Sequence, residues 1–188
     1  PYFEPPRALM NESVAPGVSE KPLIQPVMVQ DVAETFIRAL ERDAAIGEVY
    51  PLVGPETLDW PTLLRAVRDA LPDSVPTTVK MRRAYDESPE SADAFTHIFD
   101  AAYELGYAWV TVHGRSVEQR YVGPSNWEFL RDLVRSRPGR VVFGSGDIWN
   151  VEDIFRMIAY TGLSGVSVAR GCIGNPWIFR QARQLFAG

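Results

Sequence analysis

The chain has 188 residues, 46% of them hydrophobic and 23% charged, and a formal net charge of −5. That length can bury a core in one domain or two small ones, and the composition is ordinary for a globular protein. There is no overall basic field to mark a nucleic-acid binder, no apolar run long enough to span a bilayer and no visible signal peptide. One cysteine, Cys172, excludes an intramolecular disulfide and fits a reducing, cytoplasmic compartment. The chain opens on Pro1 rather than Met, which predicts an excerpt or a processed product. Charge is uneven: residues 1–78 carry 6 Lys/Arg against 12 Asp/Glu, and residues 79–188 carry 13 against 12. Arginine dominates the second set, and its planar fork suits phosphate better than an ammonium does.

Residues 1–23 are rich in proline and glycine and read as loop or tail. Residues 23–29 predict a short strand, with Pro26 placing it at an edge. Asp31 is positioned to cap a helix whose apolar face is Val32, Phe36, Ile37 and Leu40. Residues 48–53 predict a second strand. Asp59 then caps a second helix, with Pro61 in its first turn and a core face of Leu63, Leu64, Val67 and Leu71. This half reads as two strand–helix units. A break with two prolines, LPDSVPT, ends it and divides the chain into residues 1–76 and 77–188.

The second half repeats one pattern. Apolar runs centred near residues 78, 110, 142 and 167 each precede a helical period. Helices are predicted over residues 91–105, around 127–137, from about 151, and from about Asn175-Pro176. A strand every 25 to 32 residues with a helix after each predicts four parallel βα units, half of a TIM-type (β/α) barrel. The strands end at Lys80, at His113-Gly114-Arg115, at Gly144-Ser145-Gly146-Asp147 and at Ala169-Arg170-Gly171. In such a barrel these loops share one face. Two glycine loops and an arginine there predict a phosphate site, because glycine lets backbone N–H groups approach an anion.

Two family resemblances bear on function. Residues 23–72 resemble the C-terminal part of atypical short-chain dehydrogenase/epimerase-like proteins, although the Gly-rich dinucleotide loop and the Tyr-x-x-x-Lys pair are missing. The segments TVKMRRAYDESPES, WVTVHGRSVEQRYVGPSNWEFL, VVFGSGDIWNVED and GVSVARGCIGNPWIF resemble successive segments of the FMN-dependent tRNA-dihydrouridine synthases, in order and in register over residues 77–181. That family folds as a flavin-binding TIM barrel followed by a helical domain. It reduces the uridine C5=C6 bond in tRNA with hydride from reduced FMN, which NADPH regenerates.

The resemblance implies a cofactor-binding set of Lys80, His113, Arg115, Gly144, Ser145, Gly146, Asp147, Ala169, Arg170 and Gly171. Lys80 matches the lysine beside the flavin ring, and His113 the histidine at its edge and phosphate side. Arg115 is expected at the rim, facing FMN or tRNA phosphate. Residues 145–147 match the phosphate-side loop, with Ser145 where the family more often has Asn. Ala169 and Arg170 match a Gly-Arg pair closing on the phosphate. The family's cysteine general acid has no counterpart in residues 1–76, and Cys172 lies in the wrong segment to replace it. The resemblance therefore implies a composite or incomplete chain unable to catalyse alone, with tRNA and a missing N-terminal half-barrel or second chain as partners. The alternatives are a non-catalytic phosphate- or flavin-binding half-barrel and an epimerase-like fragment.

Overall fold

Residues 23–49 and 52–187 are described by the computed structural model. Internal contacts divide the chain into one unit of residues 1–63 and a second of residues 64–188. That boundary lies upstream of the proline break. The reason is Leu64: it is buried, and its carbonyl accepts a 2.9 Å hydrogen bond from the Tyr107 hydroxyl inside the second unit.

In the first unit, β1 (Leu23–Ile24) pairs antiparallel with β2 (Leu58–Asp59), and α1 runs over Val29–Leu40. Three expectations change here. The described members of residues 48–53 form no strand; the Glu48 N–H is instead taken by the Ala45 carbonyl, closing a tight turn after residues 43–45. The partner of β1 is therefore the shorter, later β2. Asp31 is not the cap of α1, which begins two residues earlier; Asp31 sits within the first turn, where its charge still opposes the helix dipole favourably. The apolar stripe of Phe36, Ile37 and Leu40 stays exposed among the described residues rather than forming a core. The cap at Asp59 holds: its carboxylate accepts from Thr62 N–H at 2.9 Å, at the start of α2 (Trp60–Asp69).

The second unit is a βα array: β3 (Thr78–Arg82), α3 (Pro89–Glu104), β4 (Trp109–His113), α4 (Trp127–Ser136), β5 (Val142–Ser145), α5 (Val151–Thr161), β6 (Gly165–Ser167) and α6 (Ile178–Ala187). The four strands form one parallel sheet in chain order. Its registers fix the two faces. Val110 pairs with Val142 and Val112 with Gly144, and this side packs on helices through Phe95, Phe99, Leu130 and Met157. Phe99, Leu130 and Met157 are wholly buried, each contributing about 1.5–3 kcal/mol of transfer free energy. Helix starts are capped as the sequence requires. Ser88 Oγ accepts from Ser91 N–H, Asn126 Oδ1 from Phe129 N–H, and Asn150 forms a reciprocal capping box with Asp153.

The opposite sheet face carries the rows that matter for function. Trp109 stacks on Phe143 at 5.3 Å near the strand starts. One row along, Lys80, Thr111, Phe143 and Gly165 align, and the last row is Arg82, His113, Ser145 and Ser167. Chemistry-bearing side chains are thus delivered to the C-terminal ends of four adjacent strands, the ligand-binding end of parallel α/β barrels.

Candidate functional site

A cavity of about 330 Å³ opens at those strand ends. It is small but within the range of ligand pockets. Lys80, His113, Ser145, Gly146, Asp147, Ala169 and Arg170 line it, so seven of the ten residues singled out from the sequence are brought together. Arg115, Gly144 and Gly171 are not on its wall. Gly144 faces the helices, where a Cβ would come within 2.2 Å of Leu163 Cδ1. Gly171 packs on the neighbouring loop: a Cβ would lie 2.2 Å from the Ile148 carbonyl oxygen, so only glycine fits. Arg115 lies behind the wall and is buried, not at the rim.

Arg115 holds the loops that shape the cavity. Its Nη2 donates to both Asp147 carboxylate oxygens, at 2.7 and 2.8 Å, and to the Gly123 carbonyl at 2.6 Å. The Asp147 carboxylate also accepts from Ser125 N–H at 2.7 Å. This ties the β5 loop to the long loop after β4. Asp147 takes a left-handed backbone, φ 56°, which aspartate tolerates. It follows Gly146 at φ 119°, which does require glycine. Burial alone would oppose ionisation of Asp147, but the Ser125 N–H and Arg115 outweigh it and hold the carboxyl below its ordinary range.

His113 is held neutral. Burial, then the charges of Arg82, Arg115 and Lys80, lower its pKa to about 4, with only Asp147 opposing. Its Nδ1 accepts the Arg115 backbone N–H at 3.1 Å. A neutral imidazole that accepts at Nδ1 carries its proton on Nε2, so the ring is a hydrogen-bond donor through that atom.

Sequence reasoning passed over Met81, Arg82, Tyr121, Ile148, Trp149 and Ser167, all on the wall. Strand periodicity could have found two of them: Arg82 is two residues beyond Lys80, and Ser167 shares the register of Ser145. Tyr121 and Trp149 lie in irregular loops that carry no period. Arg82 also donates to the Ser116 carbonyl at 2.7 Å, anchoring the long loop over the cavity. Arg170 projects at the mouth with its guanidinium carbon 4.5 Å from the Tyr121 ring centroid and 4.6 Å from that of Trp149. Its nearest approach to Asp147 is 3.8 Å, outside hydrogen-bond range. Cys172 turns away into its own turn, its thiol donating to the Ala169 carbonyl at 2.9 Å.

The donor set suits an anionic ligand. Lys80, Arg82 and Arg170 supply positive charge and His113 an N–H, while Gly146 presents backbone without a side chain. The one carboxylate on the wall, Asp147, is already neutralised by Arg115. Fold and site together define a parallel (β/α) half-barrel with a cavity lined by Lys80, Arg82 and Arg170 at its C-terminal face.

Comparison with known proteins narrows this class. The sequence model of the dihydrouridine synthase (Dus) family matches residues 60–188, and the chain belongs to that family. The probable tRNA-dihydrouridine synthase of Treponema pallidum (strain Nichols) is 38% identical over 135 residues, covering 66% of this chain and 39% of that protein. The probable tRNA-dihydrouridine synthase of Mycobacterium leprae (strain TN) is 36% identical over 126 residues, covering 65% and 31%. The Homo sapiens tRNA-dihydrouridine(47) synthase [NAD(P)(+)]-like protein is 36% identical over 110 residues, covering 58% and 16%. The chain therefore spans well under half the length of these relatives.

Proposed function

We propose that residues 77–181 form the phosphate-side half of an FMN site in a tRNA-dihydrouridine synthase barrel, and that this chain does not catalyse alone. The observation that carries the reading is the convergence of Lys80, His113, Gly146 and Arg170 on one cavity at the ends of four parallel strands. When bound, FMN would supply hydride for reduction of the uracil C5=C6 bond of tRNA, with NADPH as the reductant.

Each residue then has a distinct task. Lys80 places a cation against the negative charge of a reduced flavin. His113, neutral and fixed as the Nε2–H tautomer, donates a hydrogen bond and does not serve as the proton source at neutral pH. Arg170 and the backbone around Gly146 hold the phosphate. Ser145, buried at the cavity wall, can add a hydroxyl in the place of the more usual amide. Arg115 contributes indirectly, by keeping Asp147 from repelling an anion. Among the described residues none fills the role of general acid. The Cys172 thiol is engaged with the Ala169 carbonyl, so an N-terminal half-barrel or a second chain would have to bring the acid. A tRNA substrate and a single cysteine fit a cytoplasmic protein.

A titration tests the cofactor assignment. The phosphate loops are present while the contacts a first half-barrel would make to the ring are not. The isolated chain should therefore bind FMN more tightly than riboflavin. Equal affinity for the two would defeat the phosphate assignment. With NADPH, FMN and unmodified tRNA supplied, no dihydrouridine should form; turnover that disappears in Cys172→Ser would show the general acid to be misplaced.

A further inference from the structure

The geometry points to a stacking platform for an unpaired nucleobase on the outer rim of the pocket, built by Tyr121 and Trp149 around Arg170. For its RNA ligand it rests on the dihydrouridine synthase reading. Three loops meet to make it: Tyr121 follows β4, Trp149 follows β5 and Arg170 follows β6. Both rings contact the guanidinium, at 4.5 and 4.6 Å. Arg82 lies 6.0 Å from the Tyr121 centroid and adds a second cation. A planar cation against two planar rings makes a surface suited to planar, electron-rich ligands.

Exposure says from which side the ligand comes. Tyr121 is 63% and Trp149 52% exposed, although both line the cavity. More than half of each residue is therefore open to something approaching from solvent. Charge says what kind of ligand it is. Lys80, Arg82 and Arg170 line the cavity against a single carboxylate, Asp147, which Arg115 already neutralises, so the mouth is positive in a chain whose net charge is −5. A phosphate by itself has no use for exposed rings, and an apolar protein segment has no use for the cations. An unpaired nucleotide uses both, stacking its base on the rings and bringing its backbone to the arginines, with tolerance for base identity because every base has a π face. The nucleotide so held would flank the uridine presented to the flavin.

The test uses the 188-residue chain and two fluorescent strands of equal length, a hexamer of uridines and an abasic ribose-phosphate strand, with affinity read by anisotropy at low salt. The uridine strand should bind at least about fivefold more tightly than the abasic one. Tyr121→Ala and Trp149→Ala should each weaken the uridine strand roughly five- to a hundredfold while leaving the abasic strand almost unchanged. Trp149→Phe should recover most of the loss, because it restores a ring. Equal affinity for the two strands would mean that the rim reads phosphate only, and would overturn the proposal. So would alanine variants that keep full preference for bases, or a Phe variant as weak as the Ala one. FMN titration of the wild-type chain is scored separately: failure to bind flavin with the base preference intact sinks the cofactor reading and leaves the platform standing.

Discussion

Arg115 Nη2 sits 2.7 and 2.8 Å from the two carboxylate oxygens of Asp147, with the guanidinium almost wholly buried. The pair joins residues 32 apart and braces the pocket wall from behind. Replacing Asp147 with Asn leaves a buried guanidinium without its counter-charge. Asp147→Asn should therefore lower stability at pH 7 by about 3 kcal/mol in urea denaturation. Adding Arg115→Met should restore part of that loss, since both charges are then gone. Additive losses in the double variant would show that the two side chains do not act as a pair. Because Asp147 titrates below its ordinary range when folded, its contribution is complete above the unfolded carboxylate range and fades as pH falls through the folded value.

His113 gives a pH signature in a higher window. Its folded pKa of about 4 lies below the ordinary 6.5. Between those values the unfolded chain takes up a proton that the folded chain refuses, so stability should fall as pH drops from 6.5 toward 4. His113→Gln should flatten that slope, measured as urea midpoints at pH 7 and pH 5. Nitrogen-15 spectra of the wild type at pH 6 should show a neutral Nε2–H ring that is absent from the variant. An imidazolium at that pH would contradict the tautomer assignment.

Arg170→Ala should separate binding from stability. The Arg170 side chain is 39% exposed, and Asp147 already has Arg115 as its close partner. The melting temperature of the free chain should stay near that of the wild type. FMN affinity should fall about ten- to a hundredfold, the effect of losing a hydrogen bond to a charged group. Arg170→Lys should recover only part of it. A lower melting temperature with undiminished FMN affinity would make Arg170 a structural residue.

Gly171→Ala should be costly although it adds one methyl group. The new carbon would sit 2.2 Å from the Ile148 carbonyl oxygen, and neither atom belongs to a flexible side chain. One of the two loops must move, at a cost of about 1–3 kcal/mol in chemical denaturation. Unchanged stability would mean that the loops are not in the close contact described.

The parallel array was legible because its signals are redundant. Each of β3 to β6 joins an apolar run to a glycine- or arginine-bearing loop and to a helix period. Side-chain direction was less legible. Gly144 and Gly146 look alike in the sequence, yet one faces Leu163 and the other the cavity. Arg115 reads as a rim residue until Asp147, 32 residues on, and the Gly123 carbonyl of its own loop are seen to enclose it. In the first unit the apolar run at 48–53 imitates a strand, whereas the two-residue β2 is shorter than any periodic pattern. Tyr121 and Trp149 are positioned by loop packing, which leaves no repeat to detect.

The order of strands in the sheet has a consequence for where the chain can be divided. Because β3, β4, β5 and β6 pair in the order in which they are synthesised, no strand is inserted between two others from a distant part of the chain. In the sheet each strand pairs only with its immediate neighbours in the chain, although the loops at the strand ends also meet across two units, as Tyr121 and Arg170 do. A cut ahead of β3 therefore pulls no strand out of the sheet, but it keeps the packing of Tyr107 only if Leu64 goes with the array. Every residue on the pocket wall, from Lys80 to Arg170, stays within that one run of chain.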